Sequence, residues 1–367
     1  MPSLHLLLGG IRTVPVNDLL RELAIEHPII LAPMGGGPST PELAAAVSNA
    51  GGLGSMAAAY LTPEQIAEEF RGLRALTSKP IAVNLFAGGR DNIGEYDPKP
   101  MLELLTEIHA SLGLPAPVAP EPKPDPFPAQ LEAVLAARPE VFSFTFGIPN
   151  PDAMRALRDR GIFIMGTATT LHEAQMLVDA GVDAVIAQGA EAGAHRGTFA
   201  AAFEQSMVPT LELVRQIRAG LQIPVVASGG IMDGYDIAQA LSAGASAVQM
   251  GTAFLACPES GASETYKQAI LGAKQDTTVV TRAYSGRPAR GLLNTFIEIL
   301  YGREEAILPY PLQNDLTRPM RTAAAKAGDP AYLSLWAGQG VTRARALPAG
   351  ELVKTLVQEM SARRRAA

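Results

Sequence analysis

The chain has 367 residues, 47% hydrophobic and 18% charged, so it is long enough for one large α/β domain with a smaller appended region, and global disorder is excluded. A formal net charge of -6 and a pI near 5.5, with no basic run beyond Arg363 to Arg365, argue against a nucleic-acid partner. Cys257 is the single cysteine, which excludes an intrachain disulfide and cysteine-based zinc or iron–sulfur sites; no metal is expected, and a reducing, cytoplasmic setting fits.

The N-terminal apolar patch Leu6 to Leu8 is too short for the core of a secretion signal and follows no basic residue. No apolar run approaches the roughly eighteen residues of a membrane span, so none is expected. From Ile29 onward a unit repeats: an apolar strand, a glycine-containing turn, a capped helix and an Ala-Gly step into the next strand. The strands are predicted at Ile29–Ala32, Gly52–Ser55, Ile81–Asn84, Val141–Phe144, Phe163–Met165, Ala184–Ala187, Val225–Ala227 and Ala247–Gln249. Their apolar runs do not alternate, as suits parallel strands covered on both faces. Thr62 to Gln65 and Thr170 to Glu173 read as capping boxes, and Asp233 as the cap of a helix through Ala243. Gly51, Gly181 and Gly244 each fall just past a helix, where a left-handed residue is needed. Eight such units predict a (β/α)₈ TIM barrel, with a doubly wound open sheet as the alternative.

The link between Asn84 and Val141 breaks the rhythm. It contains Gly88-Gly89, a predicted helix over Met101–Ser111, and seven prolines between Pro115 and Pro128, a composition that favours an extended, solvated surface insertion. After Thr252 the pattern changes again. Ala262–Ala273 reads as a helix, Thr277–Thr281 as a short extended piece and Ser285 to Gly291 as a turn rich in guanidinium donors. The chain therefore divides into a barrel over 1–254, a mostly helical substrate-capping region over 255–336 and a C-terminal segment, 337–367, whose helix Gly350–Arg365 packs back on the barrel.

Ligands of α/β proteins collect beyond the carboxyl ends of parallel strands. The sixth predicted strand ends in Gln188 and runs through Gly189 and Gly193, which let backbone approach a ligand closely, to His195. The seventh and eighth end in Gly229-Gly230 and in Gln249-Met250-Gly251-Thr252, whose N–H groups and Thr252 hydroxyl suit one phosphate. Met34 and Asn84 stand at the ends of the first and third; a buried Asn amide matches the edge of a heterocycle. His5, His27, His109 and His172 lie in predicted helices or the N-terminal arm and read as structural. There is no GxxxxGK[ST], GxSxG or HExxH motif, and no GxGxxG opens a helix.

Pro33-Met34, Ala44–Gly54, Asn84, Ala187–Phe199 (AQGAEAGAHRGTF), Ala227–Ile231 (ASGGI) and Gln249–Leu255 (QMGTAFL) together resemble, in order and spacing, the FMN-dependent nitronate monooxygenases, formerly 2-nitropropane dioxygenases. SGRPARG (285–291) and LWAGQG (335–340) extend the resemblance to the group acting on alkyl nitronates and propionate 3-nitronate. It implies FMN held by Met34, Asn84, Gln188, Gly193, Gly229, Gly230 and Gln249 through Thr252, with His195 as the active-site histidine. It also implies oxidation of a nitronate with O2 to a carbonyl compound and nitrite. Protonated, His195 would hold nitronate oxygens; neutral, it would take the α-proton of a nitroalkane. Ala194 stands where the family frequently has glycine, and the proline-rich insertion is unusual. The alternatives are an FMN-dependent enoyl-acyl-carrier-protein reductase, similar through the barrel, and a non-catalytic FMN- or phosphosugar-binding barrel.

Overall fold

The computed structural model describes residues 18–88 and 93–366, with side chains through Arg363; the readings made on His5, Leu6–Leu8, Gly89, Arg364 and Arg365 lie outside the residues or side chains described. Eight parallel strands form the central sheet: β1 (Ile29–Leu31), β2 (Gly54–Ala57), β3 (Ile81–Phe86), β4 (Val141–Thr145), β5 (Phe163–Ala168), β6 (Ala184–Gln188), β8 (Val225–Ser228) and β9 (Ala247–Met250). The order β1-β9-β8-β6-β5-β4-β3-β2 leaves β1 and β2 to meet. They do so where Ile30 bridges Leu53, with the Leu31 N–H donating to the Leu53 carbonyl at 2.8 Å and the Leu53 N–H to that of Ile29 at 2.9 Å, and the sheet closes into the expected barrel.

The unalternated strand sequences follow from burial on two sides. Ile29 and Leu31 pack outward with the helices, whereas Ile30, Leu53, Ala82, Val141 and Ile186 fill the barrel interior, whose floor is closed by Leu19 and Leu23. Seven of the eight strands begin at the residue anticipated. β2 begins two residues late: a Cβ at Gly52 would meet the Ile29 carbonyl at 2.7 Å and one at Gly54 would overlap the Ala44 carbonyl, so these glycines serve close packing as the strand forms.

Helix starts follow their caps. Thr62 and Gln65 form a reciprocal capping box and the Asp233 side chain accepts from the Asp236 N–H. Thr170 accepts from the Glu173 N–H, but the Glu173 carboxylate returns to Thr169 and to the N–H groups of Phe199 and Ala200, so the second box is half formed. Gly51, Gly181 and Gly244 have the left-handed φ their positions require, +88°, +83° and +107°.

Above the strand ends, helices Glu264–Gly272, Thr295–Ile299 and Leu312–Ala327 are joined by a feature not anticipated, a three-stranded antiparallel sheet of β7 (Ala194–His195), β11 (Ala289–Leu292) and β10 (Thr278–Thr281) in the order β10-β11-β7. Met101, Leu105 and Ile108, from the helix Lys99–Ser111 in the β3–β4 link, pack with Tyr284, Phe296, Leu312 and Leu316 in one apolar cluster. The wall over the barrel is thus drawn from two separate stretches of chain. The last helix, Ala349–Ala366, returns to the barrel exterior, where Leu352, Val353, Leu356 and Met360 join the outer core.

Candidate active site

At the carboxyl ends of the strands lies a cavity of about 630 Å³, lined by His195 and by every residue expected to contact a cofactor: Met34, Asn84, Gln188, Gly193, Gly229, Gly230, Gln249, Met250, Gly251 and Thr252. What each contributes differs from the sequence expectation in several cases. The Gln188 side chain donates to the His195 carbonyl at 2.9 Å and accepts from the Gly197 N–H at 2.7 Å, so it pins the His195 loop to the end of β6 while lining the cavity. A Cβ at Gly193 would meet the backbone of Ala337 and Gly338 at 2.6 Å, and one at Gly189 would overlap Thr210. Both glycines therefore make room for other protein backbone, where the sequence had suggested a ligand. The Thr252 hydroxyl accepts from the Gly338 N–H at 2.9 Å, which ties the 335–340 segment to the end of β9.

Gly229 and Gly230 form the turn that follows β8. Their φ values of +127° and +71° belong to the region that favours glycine, and their N–H groups donate to no described group. Gly251 faces Ala32 and Met34, whose Cβ and Sδ lie 3.3 and 3.7 Å from where a Cβ would stand. A turn of open donors beside a side-chain-free strand end is a cradle for an anionic oxygen cluster. Asn84, buried, donates from its side-chain amide to the Ser143 hydroxyl on β4 at 2.9 Å and lines the cavity.

His195 is not in a turn. It sits on β7, opposite Ala289, and Ala194 opposite Arg290 takes φ +60°, a left-handed conformation that glycine adopts at less cost. The His195 ring nitrogen Nε2 lies 2.8 Å from the Ser285 hydroxyl, and the ring is enclosed by Phe146, Trp336 and Tyr310 at centroid distances of 5.7, 5.8 and 6.3 Å. Burial first, then the nearby Arg287 and Arg321 guanidinium groups, lower its pKa to about 3, so the imidazole is neutral at physiological pH. Arg287 stacks over Phe146 at 4.2 Å and Arg290 donates to the Ala190 carbonyl at 3.0 Å; the guanidinium-rich turn thus braces the His195 strand. Arg196, wholly inside, donates to the carbonyls of Gly189, Gln188 and Ser206.

The opposite wall escaped the sequence reading. Asn314, Arg318, Thr322 and Lys326 recur every four residues along the helix Leu312–Ala327 and line the cavity together with Arg321. The Arg321 guanidinium donates to the Asn314 carbonyl at 2.7 Å, its Nε is buried without a partner, and burial lowers its pKa to about 10. Tyr60 stands beside it, its pKa raised by burial. The recurrence of Asn314, Arg318, Thr322 and Lys326 at a spacing of four was the available signal.

Glycine N–H groups, a neutral histidine and the Ser285 hydroxyl beside it thus share one cavity at the carboxyl ends of the strands, where a parallel α/β barrel binds its ligand. The family model for nitronate monooxygenase matches residues 17–359, and the chain belongs to that family, whose members are flavin-dependent oxidoreductases. It is 45% identical to the nitronate monooxygenase of Pseudomonas aeruginosa over 347 residues, covering 93% of this chain and 98% of the relative. The nitroalkane oxidase of Streptomyces ansochromogenes superposes with a TM-score of 0.87 at 42% identity, covering 95% of this chain and 99% of that one. FabK from Thermotoga maritima agrees less well, with a TM-score of 0.75 at 29% identity over 97% of this chain and 98% of its own. The protein is a nitronate-oxidising monooxygenase, and the reductase alternative is the weaker one.

Proposed function

We propose that the flavin is FMN, that its single phosphate is cradled by Gly229, Gly230, Gly251 and Thr252, and that Met34, Asn84, Gln188, Gly193, Gln249 and Met250 border its ring system. The observation that carries this is the pair of left-handed glycines with unpaired N–H groups at the end of β8, next to β9, on the same cavity as His195.

FMN supplies the redox chemistry when bound, and O2 is the co-substrate. The chain's own residues bind, orient and exclude water. Phe146, Trp336 and Tyr310 pack round the His195 ring and favour its neutral form, while the residue still lines the cavity. The Ser285 hydroxyl also lies 3.1 Å from the Arg287 carbonyl and 3.2 Å from its N–H, so its one proton has two acceptors. When that proton goes to Arg287, His195 Nε2–H donates to Ser285 and Nδ1 can take the α-proton of a nitroalkane, the developing nitronate anion offsetting the two guanidinium groups that otherwise hold the imidazole neutral. When it goes to His195, Nδ1–H donates to a nitronate oxygen. One hydroxyl rotor thereby serves both substrate forms. Small alkyl nitronates, including propionate 3-nitronate, fit the polar and cationic wall of Arg321 and Arg318. The buried Cys257, with its pKa pushed up to about 12, suits a reducing cytoplasm.

The test is an absorbance spectrum of the purified protein before and after anaerobic addition of a nitronate, followed by analysis of the flavin released on heating. Flavin bands that bleach, and free FMN, are expected; FAD, no flavin, or rapid bleaching by NADH alone would overturn the reading.

A further inference from the structure

A second cavity of about 500 Å³ opens beside the first. Its walls are the helix Leu312–Ala327 and the proline-rich stretch, through Leu114 and Lys123. Arg318, Thr322 and Lys326 line both cavities, at i, i+4 and i+8 on one helix face, so a single row of side chains separates the outer space from the inner. We propose that this outer cavity is an antechamber that collects the anionic nitronate before it reaches His195, and that the proline-rich stretch is present to supply its far wall.

The charge arrangement carries the argument. Lys123, Arg318 and Lys326 face the outer cavity against one carboxylate, Asp315. Asp315 is shared, 3.0 Å from Lys123 and 3.5 Å from Arg318, so it fixes the two cations in place without neutralising the set. The Arg318 side chain is 54% exposed, and its guanidinium stands 5.8 Å from the Tyr60 ring, which belongs to the inner cavity. Further in, the buried Arg321 guanidinium continues the positive potential toward His195. Cations that line a concave surface raise the local concentration of an anion without binding it in the reacting position. The insertion is anchored for this: the His109 ring nitrogen Nδ1 holds the Pro115 carbonyl at 2.8 Å, and residues 116–126, with no helix or strand, bring Lys123 to the helix before the chain resumes as the helix Phe127–Ala137.

The proposal rests on the nitronate being the substrate, and the experiment separates the two. Steady-state oxygen consumption is measured with ethyl nitronate at low and high ionic strength for the wild-type holoenzyme, Lys123→Gln and Lys123→Glu. Lys123 is 69% exposed, so neither substitution threatens the core. Wild-type kcat/KM is expected to fall with added salt. At low salt Lys123→Gln and then Lys123→Glu should lower it progressively, by about two- to tenfold in all, with kcat unchanged and the three proteins converging at high salt. A kcat/KM insensitive to salt and to the charge at 123 overturns the antechamber, as does a loss that persists at high salt or appears in kcat, since either would mean that the stretch acts by packing. Absence of nitronate turnover in the wild type would remove the functional reading along with the proposal.

Discussion

The two walls of the active-site cavity are built on different principles. The barrel wall presents backbone: positive-φ glycines at 229 and 230, a bare strand end at Gly251, and the amides of Asn84 and Gln188, all held by the sheet. The opposing wall presents long side chains: Arg318, Arg321, Lys326, Tyr60 and Trp336, carried on a helix and on loops. Backbone donors on a rigid sheet recognise a group that does not vary, such as a cofactor phosphate. Side chains on a separate element can be exchanged without disturbing it, which suits a substrate. His195 belongs to neither wall alone, because β7 is joined to β6 through its loop and to β11 through its pairing.

The largest effect is expected at His195, which both walls hold. His195→Asn keeps some hydrogen bonding but no useful basicity, so nitroalkane oxidation should be abolished, whereas nitronate turnover should lose one hydrogen bond to a charged group, about 1.5–3 kcal/mol. Side-by-side steady-state kinetics decide it; equal losses on both substrates would leave His195 as an anion donor only.

A pair of glycine substitutions separates seam from cradle. Gly193→Ala sets a Cβ against Ala337 and Gly338 backbone that cannot yield, so denaturant unfolding should show a loss of about 1–3 kcal/mol. At Gly251 a Cβ would stand 3.3 Å from the Ala32 Cβ and 3.7 Å from the flexible Met34 side chain, so Gly251→Val should cost the flavin-free protein less stability than Gly193→Ala while flavin occupancy drops. If Gly251→Val keeps its flavin, the phosphate is elsewhere.

Ala194→Gly is the smaller, stabilising counterpart. Relieving a left-handed alanine at φ +60° is worth about 1 kcal/mol, partly offset by the greater freedom of glycine in the unfolded chain, so thermal unfolding should move slightly upward.

The smallest expected effect is an absence of one. With its pKa lowered to about 3 by burial and by Arg287 and Arg321, His195 should show no NMR titration between pH 5 and 8. The sign for stability follows. Between pH 6.5 and about 3 the unfolded chain takes up a proton that folded His195 refuses, so this residue stabilises fully above pH 6.5, and its contribution falls as the pH drops through that window. A midpoint near 6.5 in the NMR titration would show that the ring is open to water.

Much of the barrel was legible because its signals are local. Apolar runs bounded by glycine mark strands buried on both faces, and Thr62 and Asp233 mark helix starts through bonds to N–H groups three residues on. The position of His195 beyond a strand end was legible for the same reason. Its conformation was not: a two-residue strand leaves no periodicity, and β7 exists only because Ala289 and Arg290 return to pair with it.

The eight-strand repeat and the place of His195 just beyond a strand end were readable from residue types acting within a few positions of one another. Only the tertiary structure decided that Ser285, ninety residues away, is the hydrogen-bond partner of His195, and that Gly193 makes room for protein backbone. It alone placed a cationic helix face across the cavity and Lys123 against Asp315. Those contacts depend on where long excursions of the chain come back, which is set by packing between apolar clusters and leaves no mark at the spacing of a helix turn or a strand.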